Sequence, residues 1–360
     1  MSTTLYIGAD LHKRSSTWVG LDPDGNEVLH KRCPCDIASI EQLIARLPAP
    51  AQEIEVALEP VCGWRWISEC LEEHGIRVRP ANPKRLYEIA RSHTKTDRRD
   101  ARTLANLLRT GYLPPAYKAP RQVQALRRTV RHRDALVAHR TAAKCRLSAL
   151  CTADGAHNTT PRPGTNTGRE LIEHNRDELP EHAELYELID ALQPYIAAAD
   201  TRISERVSAD PELANTAQLV QTMPGVGPVT AAAIVAEVGR FDRFPSPKQL
   251  VSYAGLNPIV RASGEKHGTF RLSKQGSRVL RAAVVDAATR VRDTEGSRNL
   301  YAYYERMLTT GGKSRLEARV ALAHKMLTIM WYMVTRNVAY TDQALQPAQS
   351  GVSPTTLPGA

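Results

Sequence analysis

Apolar positions in the first third of the chain fall in short β-rich runs separated by turn residues. Leu5 to Asp10 reads as a strand ending in a carboxylate and Ser16 to Leu21 as a second strand. A third lies around Glu27 to His30, joined to the second through Asp22-Pro23-Asp24-Gly25-Asn26, whose turn chemistry marks hairpins. The period then becomes helical at Ile37, Ile40, Leu43, Ile44 and Leu47. It returns to a strand at Ile54–Leu58, continues as a helix from Trp64 to His74, and gives a short strand at Ile76 to Val78. A helix over Asp100–Arg109 is stopped by Gly111 and Pro114-Pro115. The order βββαβαβα predicts one mixed α/β domain over residues 1–112.

Beyond it the helical period dominates. From Gln122 to Leu150, Val123, Leu126, Val130, Val137, Leu147 and Leu150 sit among Arg127, Arg128, Arg131, Arg133, Arg140, Lys144 and Arg146, a long basic helix with an apolar stripe. Residues 152–168, rich in Thr, Asn, Gly and Pro, cannot continue it and are expected to form a flexible loop. A second helical period follows at Leu185, Leu188, Leu192, Ile196, Ile203 and Val207. Two long helices joined by a loop predict an antiparallel or dimeric coiled coil over 113–210, with a plain helical core as the alternative. Residues 211–338 read as a compact helical domain and 339–360 as a disordered tail.

Charge divides the chain in the same way. The 48 Lys and Arg against 38 Asp and Glu give a net +10, but the excess is concentrated. Arg77 to Arg109 holds 10 basic and 3 acidic residues, Arg240 to Arg292 holds 11 and 3, and Glu170 to Glu212 holds 12 acidic and 3 basic. Two basic blocks flanking an acidic helix suggest modules with separate partners, and the positive blocks suit a polyanion. No apolar run reaches the roughly 18 residues of a membrane span, and Met1 to Arg14 lacks the order of a signal peptide, so a cytoplasmic, nucleoid-associated protein without a membrane partner is expected. The six cysteines show neither paired zinc spacing nor the density of a disulfide scaffold.

Three groups of residues could carry chemistry. Pro224-Gly225-Val226-Gly227-Pro228 before the apolar helix Ala231 to Val238 has the form of a helix-hairpin-helix, in which Gly225 and Gly227 bring backbone amides to a phosphate; an ordinary turn between packed helices is the alternative. Asp10 ends the first strand, Glu59 ends the fourth, and Asp97 and Asp100 share one face at a helix start. Four converging carboxylates repel one another unless cations intervene, so convergence predicts Mg2+, with Mn2+ as the alternative, in a two-metal arrangement suited to phosphodiesters. Taken singly, each acid is unremarkable, since an acid at a strand end or helix N-terminus is usually a cap. Ser263-Gly264 lies in a charged, glycine-rich stretch that on its own reads as a surface turn. Gly311-Gly312-Lys313-Ser314 has the ending of a phosphate-binding loop but lacks its first glycine and preceding strand.

Tyr6-Ile7-Gly8-Ala9-Asp10, Leu58-Glu59-Pro60 with Gly63-Trp64, Lys95-Thr96-Asp97-Arg98-Arg99-Asp100-Ala101, Pro224-Gly225-Val226-Gly227, Tyr253-Ala254-Gly255-Leu256 and Ser263-Gly264 occur in a specific order. Over Leu5 to Asn337 the chain resembles the DEDD transposases of the bridge-RNA-guided insertion-sequence recombinases, and is similar also to the Piv-type DNA invertases. The resemblance implies a RuvC-like N-terminal domain of RNase H fold, a coiled coil, and a mainly α transposase domain with a helix-hairpin-helix. It implies metal-binding carboxylates at Asp10, Glu59, Asp97 and Asp100, and a nucleophilic serine at Ser263 that forms a covalent phosphoserine with DNA. It further implies donor and target DNA and a structured guide RNA as partners, and a dimer or tetramer that assembles acidic site and serine from different subunits. Cys62 departs from the small hydroxyl residue expected in the acidic motif. Arg98 and Arg99 beside the acids, and Arg271, Lys274, Arg278 and Arg281 after the serine, are expected to hold nucleic-acid phosphates.

The alternatives are a RuvC-like nuclease using water as nucleophile, a Piv-like invertase that reads DNA without RNA, and a non-enzymatic nucleic-acid-binding protein.

Overall fold

The computed structural model describes residues 4–61, 63–89, 96–153, 165, 168–170, 177–259, 271–273, 275–294 and 296–342. The chain divides at Lys118/Ala119 into two compact units.

The first unit is built on a five-stranded mixed sheet in the order β3-β2-β1-β4-β5, formed by β1 (Leu5–Leu11), β2 (Ser15–Leu21), β3 (Glu27–Pro34), β4 (Ile54–Leu58) and β5 (Arg77–Pro80). The first three strands are antiparallel hairpins, whereas β4 runs parallel to β1, with Ala9 opposite Leu58, and β5 runs parallel to β4. Parallel neighbours need crossovers, and the helices α1 (Ile37–Ile44) and α2 (Trp64–Glu73) supply them. Their apolar residues Ile40, Leu43, Ile67 and Leu71 pack with Leu5, Ile7, Leu11 and Trp18 in one buried cluster.

The other face is covered by α4 (Asp97–Arg109), whose Ala101 and Ala105 pack with Val19 and Leu21 while Leu104 and Leu108 pack with Ala57. Both faces of β1 are therefore buried, as a central strand requires. Gly8 explains how close α4 comes: a Cβ there would lie 1.9 Å from the Ala101 carbonyl oxygen. Helix α4 begins a turn earlier than the apolar period alone suggests, because the Thr96 hydroxyl caps it by accepting the Arg99 amide at 3.3 Å. The period also misses α3 (Pro83–Ile89), a short helix with a single buried side chain, Leu86, started by Asn82 accepting the Lys84 amide. After α4 the chain returns to the outer side of β5. There the Asn82 amide donates to Pro114, the Ala116 amide donates to Pro80, and Ala81 forms a bridge with Pro115.

The second unit is mostly helical. Helices α5 (Arg121–Ala153) and α6 (Pro180–Ser208) are antiparallel partners within one chain: Ala143, Leu147 and Cys151 pack with Ala183, Tyr186 and Ile189. Arg133 pairs with Asp200, and Arg140 donates to Gln193 at 2.6 Å. Thr152, expected in the loop, belongs to α5; of that loop only residues 165 and 168 are described beyond the helix. The pair is followed by α7 (Pro211–Gln221), α8 (Pro228–Val238), α9 (Pro247–Tyr253), α10 (Arg278–Arg290), α11 (Arg298–Thr309) and α12 (Arg315–Arg336). Between α9 and α10 the short strands β6 (Pro258–Ile259) and β7 (Arg271–Leu272) pair antiparallel. Ser314 caps α12 in a reciprocal capping box with Glu317, which accounts for the Gly-Gly-Lys-Ser string without a bound phosphate.

Of the expected tail, residues 339–342 are tied down: Asp342 accepts the Asn299 amide at 3.1 Å, and the Tyr340 amide donates to Thr222 at 2.8 Å. Residues 343–360 lie outside the described part of the chain. No described helix is long and apolar enough to cross a membrane.

Candidate functional site

Side chains at i and i+2 of an extended segment share a face. Asp10 at the end of β1 and His12 just beyond it therefore both reach the side where α4 begins, and α4 brings Asp97 to meet them. His12 Nε2 lies 3.2 Å from Asp10 Oδ2 and 3.4 Å from Asp97 Oδ1. One ligand atom from each of Asp10, His12 and Asp97 falls within 4.8 Å of the others.

Asp100 stands one helical turn after Asp97 and raises the Asp10 carboxyl's pKa electrostatically. The Asp10 pKa lies above its ordinary value chiefly because the group is buried. Asp100 and Asp97 add to the shift, while the charge of His12 works the other way. Glu59 directly follows Leu58, the register partner of Ala9, so it occupies the strand-end position next to Asp10 and is half-buried. Glu59 and Asp100 stand outside the tight trio of ligand atoms.

His12 is the residue that the sequence reading overlooked. The available signal was its two-residue spacing from a strand-terminal carboxylate. Crowded, half-buried carboxylates with an imidazole nitrogen among them match the donor set of a divalent cation, so these residues fit one.

The basic residues expected near this cluster divide by role. Arg98 and Arg102 both grip Glu27 of β3, each at 2.6 Å, and so fasten the start of α4 to the hairpin. Arg99 is exposed, and Arg32 comes within 4.0 Å of Asp97.

In the second unit, the tight glycine turn connects α7 to α8. Gly225 has φ +81°, and a Cβ on it would lie 2.4 Å from the Ala287 carbonyl oxygen, so its lack of a side chain serves close packing on α10. Gly227 caps α8, with open space where a Cβ would stand.

Near the end of α8 stands Glu237, fully buried in an otherwise apolar run. Arg131 of α5 donates to both its carboxylate oxygens at 2.7 and 2.9 Å, and Ser277 donates at 2.8 Å. Arg127 donates to the Ala236 and Glu237 carbonyls, and the Tyr253 hydroxyl donates to Glu237 O. Burial opposes ionisation of Glu237, but the hydrogen bonds and charge of Arg131, with Ser277, outweigh it and hold its carboxyl below the usual range. Because Ser277 also caps α10, this network fixes the point where the chain leaves β7.

Ser263 lies between β6 and β7, outside the described residues, as do Lys274 and the side chain of Arg271. Arg281 donates to the Ala254 carbonyl at 3.0 Å, and Arg278 lies 3.7 Å from Asp134.

The sequence is similar to those of known proteins. Residues 7–153 match a family model described as a transposase, that of the IS110 DEDD transposases. Residues 217–305 match the model of the transposase IS116/IS110/IS902 family. The chain is 25% identical to the 44.8 kDa protein of insertion element IS116 from Streptomyces clavuligerus, over 94% of this chain and 96% of that one. It is also 25% identical to the transposase for insertion sequence element IS1328 of Yersinia enterocolitica, over 95% of this chain and all of the relative. A pilin gene-inverting protein of Moraxella bovis is 29% identical over 39% of this chain and 44% of its own length. Two family matches on successive parts of the sequence, with relatives aligned from end to end, place the chain in the IS116/IS110/IS902 family of transposases.

Proposed function

We propose that this transposase cuts and rejoins DNA through a covalent phosphoserine at Ser263, assisted by a metal-binding carboxylate cluster on an RNase H-like sheet and guided to its sites by a structured RNA. The observation that carries the reading is the meeting of Asp10 and Asp97, from strand end and helix start, around His12. Such convergence of like charge costs stability unless it serves a cation. The order β3-β2-β1-β4-β5, with three parallel strands and an antiparallel hairpin, supports the RNase H-like reading.

In this scheme the Ser263 hydroxyl attacks a DNA phosphorus. One phosphorus–oxygen bond forms as another breaks; the serine hydroxyl loses its proton, and the departing DNA oxygen takes one up and leaves as a hydroxyl. The bond count is conserved, so a second DNA end can reverse the step without ATP. Asp10, Glu59, Asp97 and Asp100 would hold Mg2+, which would stabilise charge developing on the phosphate. The carboxylates themselves orient the scissile phosphate's surroundings, and the Arg127–Arg131–Glu237–Ser277 network fixes the base of the hairpin that carries the serine. Acidic site and serine come from different subunits of a dimer or tetramer in this scheme. Arg99, Arg271, Lys274 and Arg278 supply cations for donor DNA, target DNA and RNA.

Denaturing-gel trapping with DNA carrying the insertion-sequence end tests the chemistry. The wild type gives a covalent protein–DNA adduct that Ser263→Ala abolishes, whereas free cleavage products from that variant sink the serine mechanism in favour of water attack. RNA guidance is tested by adding RNA back to nuclease-treated protein. Full recombination without RNA favours the alternative of a Piv-like invertase that reads DNA directly.

A further inference from the structure

A cleft of about 310 Å3 opens on the second unit between the end of α10, α11 and the start of α12, well apart in sequence from both the serine hairpin and the carboxylates. Its size is at the lower end of the roughly 300–1,000 Å3 typical of small-ligand sites. Three cations line it: Arg292 in the turn after α10, and Arg315 and Arg319 one turn apart on α12. Like charges at i and i+4 on a helix repel, and none of the three forms an ion pair among the described residues. The nearby acids whose side chains are described have partners other than these arginines. Glu305 interacts with the Tyr301 hydroxyl, Glu317 caps α12, and Asp286 pairs with Arg290.

The same cleft is lined by two aromatic rings, Tyr301 and Tyr304, with centroids 6.1 Å apart and planes tilted by 32°. Leu308 adds an apolar wall. A free anion would need the arginines alone, and an apolar ligand the rings alone. A nucleotide uses both, because its phosphate pairs with guanidinium groups and its base lies against an aromatic face. A base still stacked in a duplex cannot reach such a recess, so the nucleotide has to be unpaired.

We propose that this cleft seats one unpaired nucleotide of the nucleic acid bound by the transposase, with its base on Tyr301 and Tyr304 and its phosphate on Arg292, Arg315 and Arg319. The inference goes beyond the cutting chemistry and is independent of it. Loss of the phosphoserine mechanism would leave this site standing, and the reverse also holds.

The test is fluorescence anisotropy with the full-length protein and labelled eight-residue oligothymidylate or oligouridylate, comparing the wild type with Arg315→Gln/Arg319→Gln and with Tyr304→Leu. Each variant is expected to bind about tenfold more weakly, and the arginine variant to show a shallower dependence on salt. Tighter binding of oligothymidylate assigns the nucleotide to a DNA strand, and tighter binding of oligouridylate assigns it to RNA. Photo-crosslinking with 5-iododeoxyuridine or 5-iodouridine is expected to map to Tyr301 or Tyr304. Unchanged affinity in the arginine variant, crosslinks confined to other segments, or equal competition by a blunt duplex overturns the proposal. Arg315 is exposed at the helix start, so the arginine variant gives an answer even where Tyr304→Leu fails to fold.

Discussion

The imidazole of His12 and the carboxylate of Asp97 meet at 3.4 Å, although one follows the first strand and the other opens the fourth helix of the same unit. A nitrogen donor among carboxylates changes which ions a site prefers, because imidazole favours Co2+ or Zn2+ over Mg2+. His12→Ala is therefore expected to lower Co2+ affinity about tenfold while changing Mg2+ affinity little. Titration followed by the visible absorption of Co2+, with calorimetry for Mg2+, measures both. Equal losses for the two ions would mean that His12 only orients the aspartates.

Asp10 carries the cost of the cluster. Its pKa is raised by burial and by Asp100 and Asp97, so its ionised form at neutral pH opposes folding. Asp10→Asn removes that charge with almost no change of shape. We expect its Tm in chelator to rise by about 2–4 °C while strand exchange is lost. A lower Tm in chelator would mark Asp10 as a structural residue instead.

Glu237 behaves in the opposite sense. Its folded-state pKa lies below the usual range, so the fold favours the carboxylate. That stabilisation is present above the unfolded value of about 4.3 and is lost as pH falls through the lower folded value. Glu237→Gln is expected to cost about 3 kcal/mol at pH 7, the low end for a broken buried pair because Arg131 is half exposed. Urea unfolding at pH 7 and pH 3 checks it: the gap between wild type and variant narrows in acid.

The two glycines of the α7–α8 turn are predicted to differ. Gly225→Ala forces a positive φ on alanine and pushes its Cβ onto the Ala287 carbonyl, at about 3 kcal/mol. Gly227→Ala meets open space at φ −85° and is expected to leave unfolding within about 0.5 kcal/mol. Equal destabilisation of the two would contradict the packing described for Gly225. A selective loss of DNA binding in Gly227→Ala would support a phosphate grip at that turn.

The strands of the first unit and all its helices but α3 were legible because their signals are local: strand runs bounded by Asp-Pro-Asp-Gly-Asn and a helix stopped by Gly111. The meeting of Asp10 with Asp97 was legible only in part, since it depends on α4 lying across β1 at Gly8, a contact between distant residues. His12 escaped because a histidine beyond a strand carries no periodic signal of its own. Glu237 escaped for a similar reason. Its partner Arg131 is 106 residues away, and among alanines and valines it reads as one polar interruption of a helix. The arginines of α5 read from the sequence as one basic helix around an apolar stripe, yet Arg127 and Arg131 turn to α8 and Arg133 to α6. Charge counts along a sequence do not distinguish a cation offered to solvent from one already paired.

The path of residues 114–116 along β5 bears on how the protein behaves at high concentration. A sheet edge with free amides and carbonyls is a template on which another chain can add a strand. Here the end of β5 and the residues just after it already bond to the 114–116 segment of the same chain, through the Asn82 and Ala116 amides. The covering segment brings Pro114 and Pro115, which have no amide hydrogen to donate outward. The opposite edge, β3, carries Lys31 and Arg32 and ends in Pro34. Prolines and charges at these positions make both edges poorer templates for a further strand, which works against self-association by strand addition.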